Sequence, residues 1–175
     1  MQLFDHFERN ESAYARQIEP AYNYLNRAAS PEAAVLRAEL ESWFDRYYRP
    51  DQVELCAAFR SRDNNQHLAA LLELLLHETL LRLGCVIEVH PTLARSSRHP
   101  DFLVTEPDGS QFYLEAKVAV YESAQEAAAR ARKNEVYAAL DRAIKTTDFF
   151  LWLETEGRRS HRRRRGSWRT FSTGS

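Results

Sequence analysis

Apolar side chains fall at two different periods along this chain. Up to about residue 83 they recur every three or four positions, the spacing of one face of a helix. From Gly84 onward they bunch into short runs rich in β-branched and aromatic residues. The segment SPEAAVLRAELESWFDRYY shows the first period most clearly. Ser30 suits an N-cap, Pro31 the first helical position and Glu32 the first turn. Val35, Leu36, Leu40, Trp43, Phe44 and Tyr47 then form one apolar stripe. The pattern predicts another helix before it, over about 3–28, and a shorter one over about 51–61. A helix over about 64–83 carries leucine on nearly every side, so it should be central and buried, with Gly84 ending it.

Beyond Gly84 the runs CVIEVH, DFLVT and QFYLEAKVAV predict three strands, and EPDGS between the last two supplies turn chemistry. An amphipathic helix follows over about 122–144, and DFFLWLET predicts a fourth strand over about 148–155. The order of helices, three strands, a helix and a strand implies an α/β fold with a mixed four-stranded sheet flanked by helices. Three segments emerge: an all-helical N-terminal extension over 1–62, a core over 63–157, and an Arg-rich tail over 158–175. The tail lacks apolar periodicity and reads first as disordered. A basic arm touching phosphates, or an end that stops short, are the other readings.

Charge refines this picture. The formal net charge is −1, but residues 158–175 hold seven arginines and no acid, so residues 1–157 carry −8. Overall charge therefore gives no support to tight nucleic-acid binding, and any such contact must be local. Cys56 and Cys85 are isolated and form no CxxC pair, which suits free thiols in a reducing cytosol. The N-terminus is too polar for a secretory signal, and the leucine-rich helix carries Glu73, His77, Glu78 and Arg82, too many polar groups for a membrane span. The expectation is a cytoplasmic protein with no membrane partner.

The stretch HPDFLVTEPDGSQFYLEAKVAV holds the candidate chemistry. Alternation along a strand puts Tyr113, Glu115 and Lys117 on one face, with Phe112, Leu114, Ala116, Val118 and Val120 facing the core. A hairpin would bring Asp101 beside Glu115. Two carboxylates that close repel unless a cation lies between them, and a hard ion such as Mg²⁺ suits carboxylate and backbone oxygens.

Pro100-Asp101 followed by Glu115-Ala116-Lys117 resembles the PD-(D/E)xK signature of the restriction-endonuclease-like nuclease superfamily. The resemblance covers about residues 64–155 and implies a restriction-endonuclease-like core behind the helical extension. It implies that Asp101 and Glu115 ligate Mg²⁺, or Mn²⁺, with the Val118 carbonyl as a further ligand. It assigns Lys117 to the attacking water and the phosphate. Many members also carry a Glu on the helix before the first strand. Here Glu73 is the better candidate, because it is flanked by leucines, whereas Glu78 has Arg82 at i,i+4 as an ordinary solvated ion pair. The implied activity is Mg²⁺-dependent hydrolysis of phosphodiesters, with DNA as the partner. Arg95 and Arg98 in the loop before Asp101, and Arg130 and Lys133 on the following helix, are candidate backbone contacts. Members often dimerise, so a homodimer is among the expectations. The alternative is a nuclease-fold scaffold without catalysis, in which Glu115 and Lys117 form a surface ion pair and Asp101 caps a strand. No HExxH, GxGxxG, GxxxxGK[ST] or GxSxG pattern occurs, and His77 reads as structural.

Overall fold

The structure is a computed structural model that describes residues 1–93, 100–119 and 123–143. Among these residues the chain is a mixed α/β protein with five α-helices and a three-stranded antiparallel sheet. The helices are α1 (Ala21–Arg27), α2 (Pro31–Arg46), α3 (Gln52–Phe59), α4 (Asn64–Arg82) and α5 (Ala124–Ala143). The strands are β1 (Val86–Val89), β2 (Phe102–Thr105) and β3 (Gln111–Leu114), in the order β1-β2-β3.

Local chemistry sets the ends of α2 and α4. The Ser30 hydroxyl accepts the Ala33 N–H at 3.2 Å, and Pro31 opens α2 as its sequence predicts. The Asp63 carboxylate accepts the Asn65 N–H at 2.9 Å at the start of α4. At the other end Gly84 takes φ 79°, a left-handed conformation that glycine adopts without strain. Its N–H bonds Leu81 O and the Cys85 N–H bonds Leu80 O, both at 3.0 Å, which closes α4 with a Schellman motif. The chain then turns straight into β1.

The hairpin between β2 and β3 also follows its sequence. Thr105 pairs with Gln111, Gly109 sits at φ 90°, and the Glu106 N–H bonds Ser110 O at 2.9 Å. Phe102 and Val104 are fully buried, while Leu103 and Thr105 between them are only half-buried. One face of the sheet therefore meets the helices and the other is more open.

Several expectations change here. Only residues 21–27 of the helix expected over 3–28 are helical. Pro20 breaks any longer helix, and the preceding segment has better uses for its polar backbone. The Glu41 carboxylate accepts the N–H groups of Leu3 and Phe4 at 3.0 and 2.8 Å, which seats both side chains in the core. Arg9 and Arg27 bind further carbonyls along this arm. The third strand, expected over 111–120, ends at Leu114. Its next donor, the Ala116 N–H, is taken by the Asp101 carboxylate at 2.5 Å instead of by a ladder carbonyl. Phe112, expected in the core, is 39% exposed. The described strands are all antiparallel, and the fourth strand expected over 148–155 lies outside the described residues.

The core is continuous from the N-terminal arm to the sheet. Leu3, Phe4, Leu40, Phe44, Tyr47 and Phe59 belong to the same buried cluster as Leu74, Val89, Phe102 and Val104. Helix α4 buries one face, carrying Ala70, Leu74, His77 and Leu80, whereas Leu68 and Leu75 stay exposed. Glu78 also corrects its expected setting. It does pair with Arg82, at 2.6 Å, but it is buried and also binds Arg46 of α2 at 2.7 Å. Burial pushes its carboxyl up, and the hydrogen bonds from Arg46 and Arg82 outweigh that, leaving it below its ordinary value. The pair is a clamp between two helices. No residue of α5 is buried among the described residues.

This core makes a graded prediction. Phe102→Ala should cost about 3–5 kcal/mol in chemical denaturation, the usual loss for a fully buried phenylalanine. Phe112→Ala, on the open part of the sheet, should cost about 1 kcal/mol or less.

Candidate functional site

Strand register decides which groups meet. β1 and β2 pair Val89 with Phe102, and the His90 N–H extends that ladder one step to the Asp101 carbonyl at 2.9 Å. β2 and β3 pair Phe102 with Leu114, so one step further places Glu115 opposite Asp101. His90, Asp101 and Glu115 thus occupy one cross-strand row at the end of the sheet.

Asp101 is half-buried, with its Oδ2 on the Ala116 N–H. Its charge is felt at two groups on the helical side, Glu73 and Tyr47, and raises the pKa of each. Glu73 projects from α4 with its side chain 19% exposed, and it accepts a short hydrogen bond from the Tyr47 hydroxyl. Burial is the main cause that pushes the Glu73 carboxyl above its ordinary range; the Tyr47 bond and the nearby His90 pull it back only in part. Tyr47 is pushed up as well, by burial first and then by Glu73.

Glu115 and Lys117 lie beyond the end of β3 and pair with each other at 2.9 Å, their side chains 55% and 73% exposed. Val118 is half-buried. The sheet end therefore brings Asp101 and the backbone of 115–116 together, with Glu73 reaching the same end beside His90 at 3.7 Å, while the Lys117 ammonium pairs with Glu115 in solvent. Arg95 and Arg98 lie outside the described residues. Arg130 and Lys133 are exposed on α5, and the Lys133 ammonium sits 5.7 Å from the Tyr137 ring centre. His77 is buried with its ring 4.8 Å from Tyr47 and 6.1 Å from Phe102, and its Nδ1 has no partner among the described residues. That setting lowers its pKa through burial, which suits a packing role.

Three groups at this site escaped sequence reasoning. The His90 Nδ1 lies 3.6 Å from Asp51 and its Nε2 lies 3.7 Å from Glu73. Tyr47 was counted as core, and its ring is indeed buried. The available signal was its hydroxyl, since a tyrosine on an apolar stripe needs a partner for its O–H.

The donor chemistry of Asp101, Glu115 and the Val118 carbonyl suits a hard divalent cation. Among the described residues no three His, Cys, Asp or Glu side chains stand close enough together to hold a metal. No family model, curated protein or solved structure matches the chain.

Glu73 gives this site a measurable pH signature. Folding raises its pKa, so its contribution to stability is fullest below the ordinary value of 4.5 and is lost as pH rises through the raised native value. Urea titrations of Glu73→Gln should show a midpoint above wild type at neutral pH, with the gain shrinking toward pH 4.5.

Proposed function

We propose that the chain is a metal-dependent nuclease with a restriction-endonuclease-like core, hydrolysing phosphodiester bonds of DNA. One observation carries this reading. The register sets Asp101 opposite Glu115 at the open end of the sheet, and the half-buried Glu73 carboxylate stands at the same end, 3.7 Å from the His90 ring nitrogen. A leucine-rich helix has no packing reason to carry a carboxylate there, since burying one is costly unless it is used.

Asp101, Glu115 and the Val118 carbonyl would hold Mg²⁺ or Mn²⁺. A cation in that position lowers the pKa of a bound water and offsets charge developing on the phosphate. Lys117 brings a positive charge to the same phosphate. Its present pairing with Glu115 is no obstacle. Both side chains are more than half exposed, and a surface pair of that kind contributes only about 0–1 kcal/mol, so a phosphate competes with it easily. Arg95 and Arg98, just before Asp101 in sequence, supply basic groups for the backbone of the substrate.

A second reading has its own support. The Asp101–Ala116 hydrogen bond and the Glu115–Lys117 pair satisfy all three groups within the protein, as a scaffold of the same fold would. Cleavage separates the two. Plasmid, single-stranded and branched DNA should be cut by the full chain with Mg²⁺ or Mn²⁺ and left intact with EDTA. Asp101→Ala and Lys117→Ala should each lower the rate by on the order of 100-fold or more, with circular dichroism unchanged. Intact DNA under every condition would favour the scaffold.

A further inference from the structure

Tyr47 and Asp51 reach the site from outside the segment that resembles the PD-(D/E)xK core, and His90 from the end of β1 within it, at a position that the signature itself does not name. Tyr47 is the residue that ends α2, and Asp51 closes the single 3-10 turn over Arg49–Asp51. Both precede residue 63 and so belong to the helical extension. His90 follows β1 directly. We propose that these three are positioning residues for the nuclease site: the helical extension completes the site by fixing the Glu73 carboxylate at the end of the sheet that carries Asp101. The inference rests on the nuclease reading above and goes beyond it by giving the extension a catalytic purpose.

The geometry is specific at each contact. The Tyr47 ring is buried and packs against His77, so its hydroxyl has a fixed direction, and it donates to Glu73 Oε1. His90 Nε2 approaches the same oxygen at 3.7 Å, while its Nδ1 faces the Asp51 carboxylate at 3.6 Å. One carboxylate oxygen is thus addressed from two sides, and the second of those groups stands 3.6 Å from a third.

The His90 backbone shows that this placement has a cost. Among the described residues His90 is the only non-glycine with positive φ, at 46°. Its N–H still extends the β1–β2 ladder to Asp101, and the left-handed turn at its Cα then redirects the chain. Strain of this kind persists only where the surroundings impose it, and it gathers at functional sites. Here what it delivers is an imidazole set between two carboxylates. A fold seeking stability alone would place glycine or asparagine at that turn and leucine at position 73.

The test uses the full chain with Mn²⁺ as the probe. Tyr47→Phe removes only the hydroxyl and keeps the buried ring. His90→Asn keeps a residue that tolerates left-handed backbone and removes the imidazole. Tyr48→Phe, at an exposed neighbour, is the control. Calorimetric Mn²⁺ affinity or kcat for DNA cleavage should fall about 10–100-fold in both site variants, the size of loss usual for outer groups that hold a metal site's geometry. KM for DNA and the melting temperature should stay close to wild type, and Tyr48→Phe should behave as wild type throughout. Wild-type affinity and kcat in both variants would overturn the inference. So would a loss that merely follows the fraction of unfolded protein. If Asp101→Ala abolishes activity while Tyr47→Phe and His90→Asn do not, the positioning role falls and the nuclease reading stands. If the wild type neither binds Mn²⁺ nor cleaves, both fall.

Discussion

The packing of α4 against the buried face of the sheet is the contact on which the rest of the structure depends. Leu74 and Leu80 of α4 share one cluster with Val89, Phe102 and Val104, and the His77 ring faces Phe102. Because α4 is a rigid rod, fixing its apolar face against the strands also fixes where Glu73 emerges, one helical turn from His77. That point is the end of the sheet where Asp101 leads into β2. The Schellman closure at Gly84 strengthens this constraint, since it leaves no slack between α4 and β1. Helix and sheet are positioned by apolar burial, and the polar site inherits its geometry from them.

The N-terminal region is part of the same body. Its arm enters the core through Leu3 and Phe4, held by Glu41, and α2 is tied to α4 through the buried Glu78 with Arg46. Such a clamp contributes little net stability compared with an apolar equivalent, but breaking it leaves a buried charge, so it holds the register of the two helices. Tyr47 ends the clamped helix, and its hydroxyl reaches the carboxylate on the other helix. Polar contacts thus alternate along α4, with Glu78 locking one side to Arg46 and Glu73 facing Tyr47 on the other.

Much of this was legible in the sequence, for reasons that can be named. Ser30-Pro31-Glu32, Gly84 and the EPDGS turn are local signals whose chemistry depends on few neighbours, and each element they mark forms close to where they predict. The β2–β3 hairpin forms around EPDGS as its turn residues predict, and its register runs on toward Asp101 and Glu115. Legibility failed where tertiary partners overrode periodicity. Residues 3–19 have helical spacing, yet Glu41 and the core claim Leu3 and Phe4. β3 stops early because a side chain, Asp101, captures an amide that the alternation pattern assigns to the ladder. Glu78 looked solvated because its second partner, Arg46, lies 32 positions away. Tyr47, Asp51 and His90 were missed for the same reason: their link to Glu73 exists only after α2, α4 and β1 pack together.

Manganese soaked into crystals of the full chain would show directly whether the sheet end holds a cation. Its anomalous scattering marks the metal independently of any assay. The account predicts a single strong peak in contact with the carboxylates of Asp101 and Glu115, with the Lys117 ammonium and Glu73 close by. A structure with no peak there, and with Asp101 still bonded to the Ala116 amide and Glu115 still paired to Lys117, would contradict it.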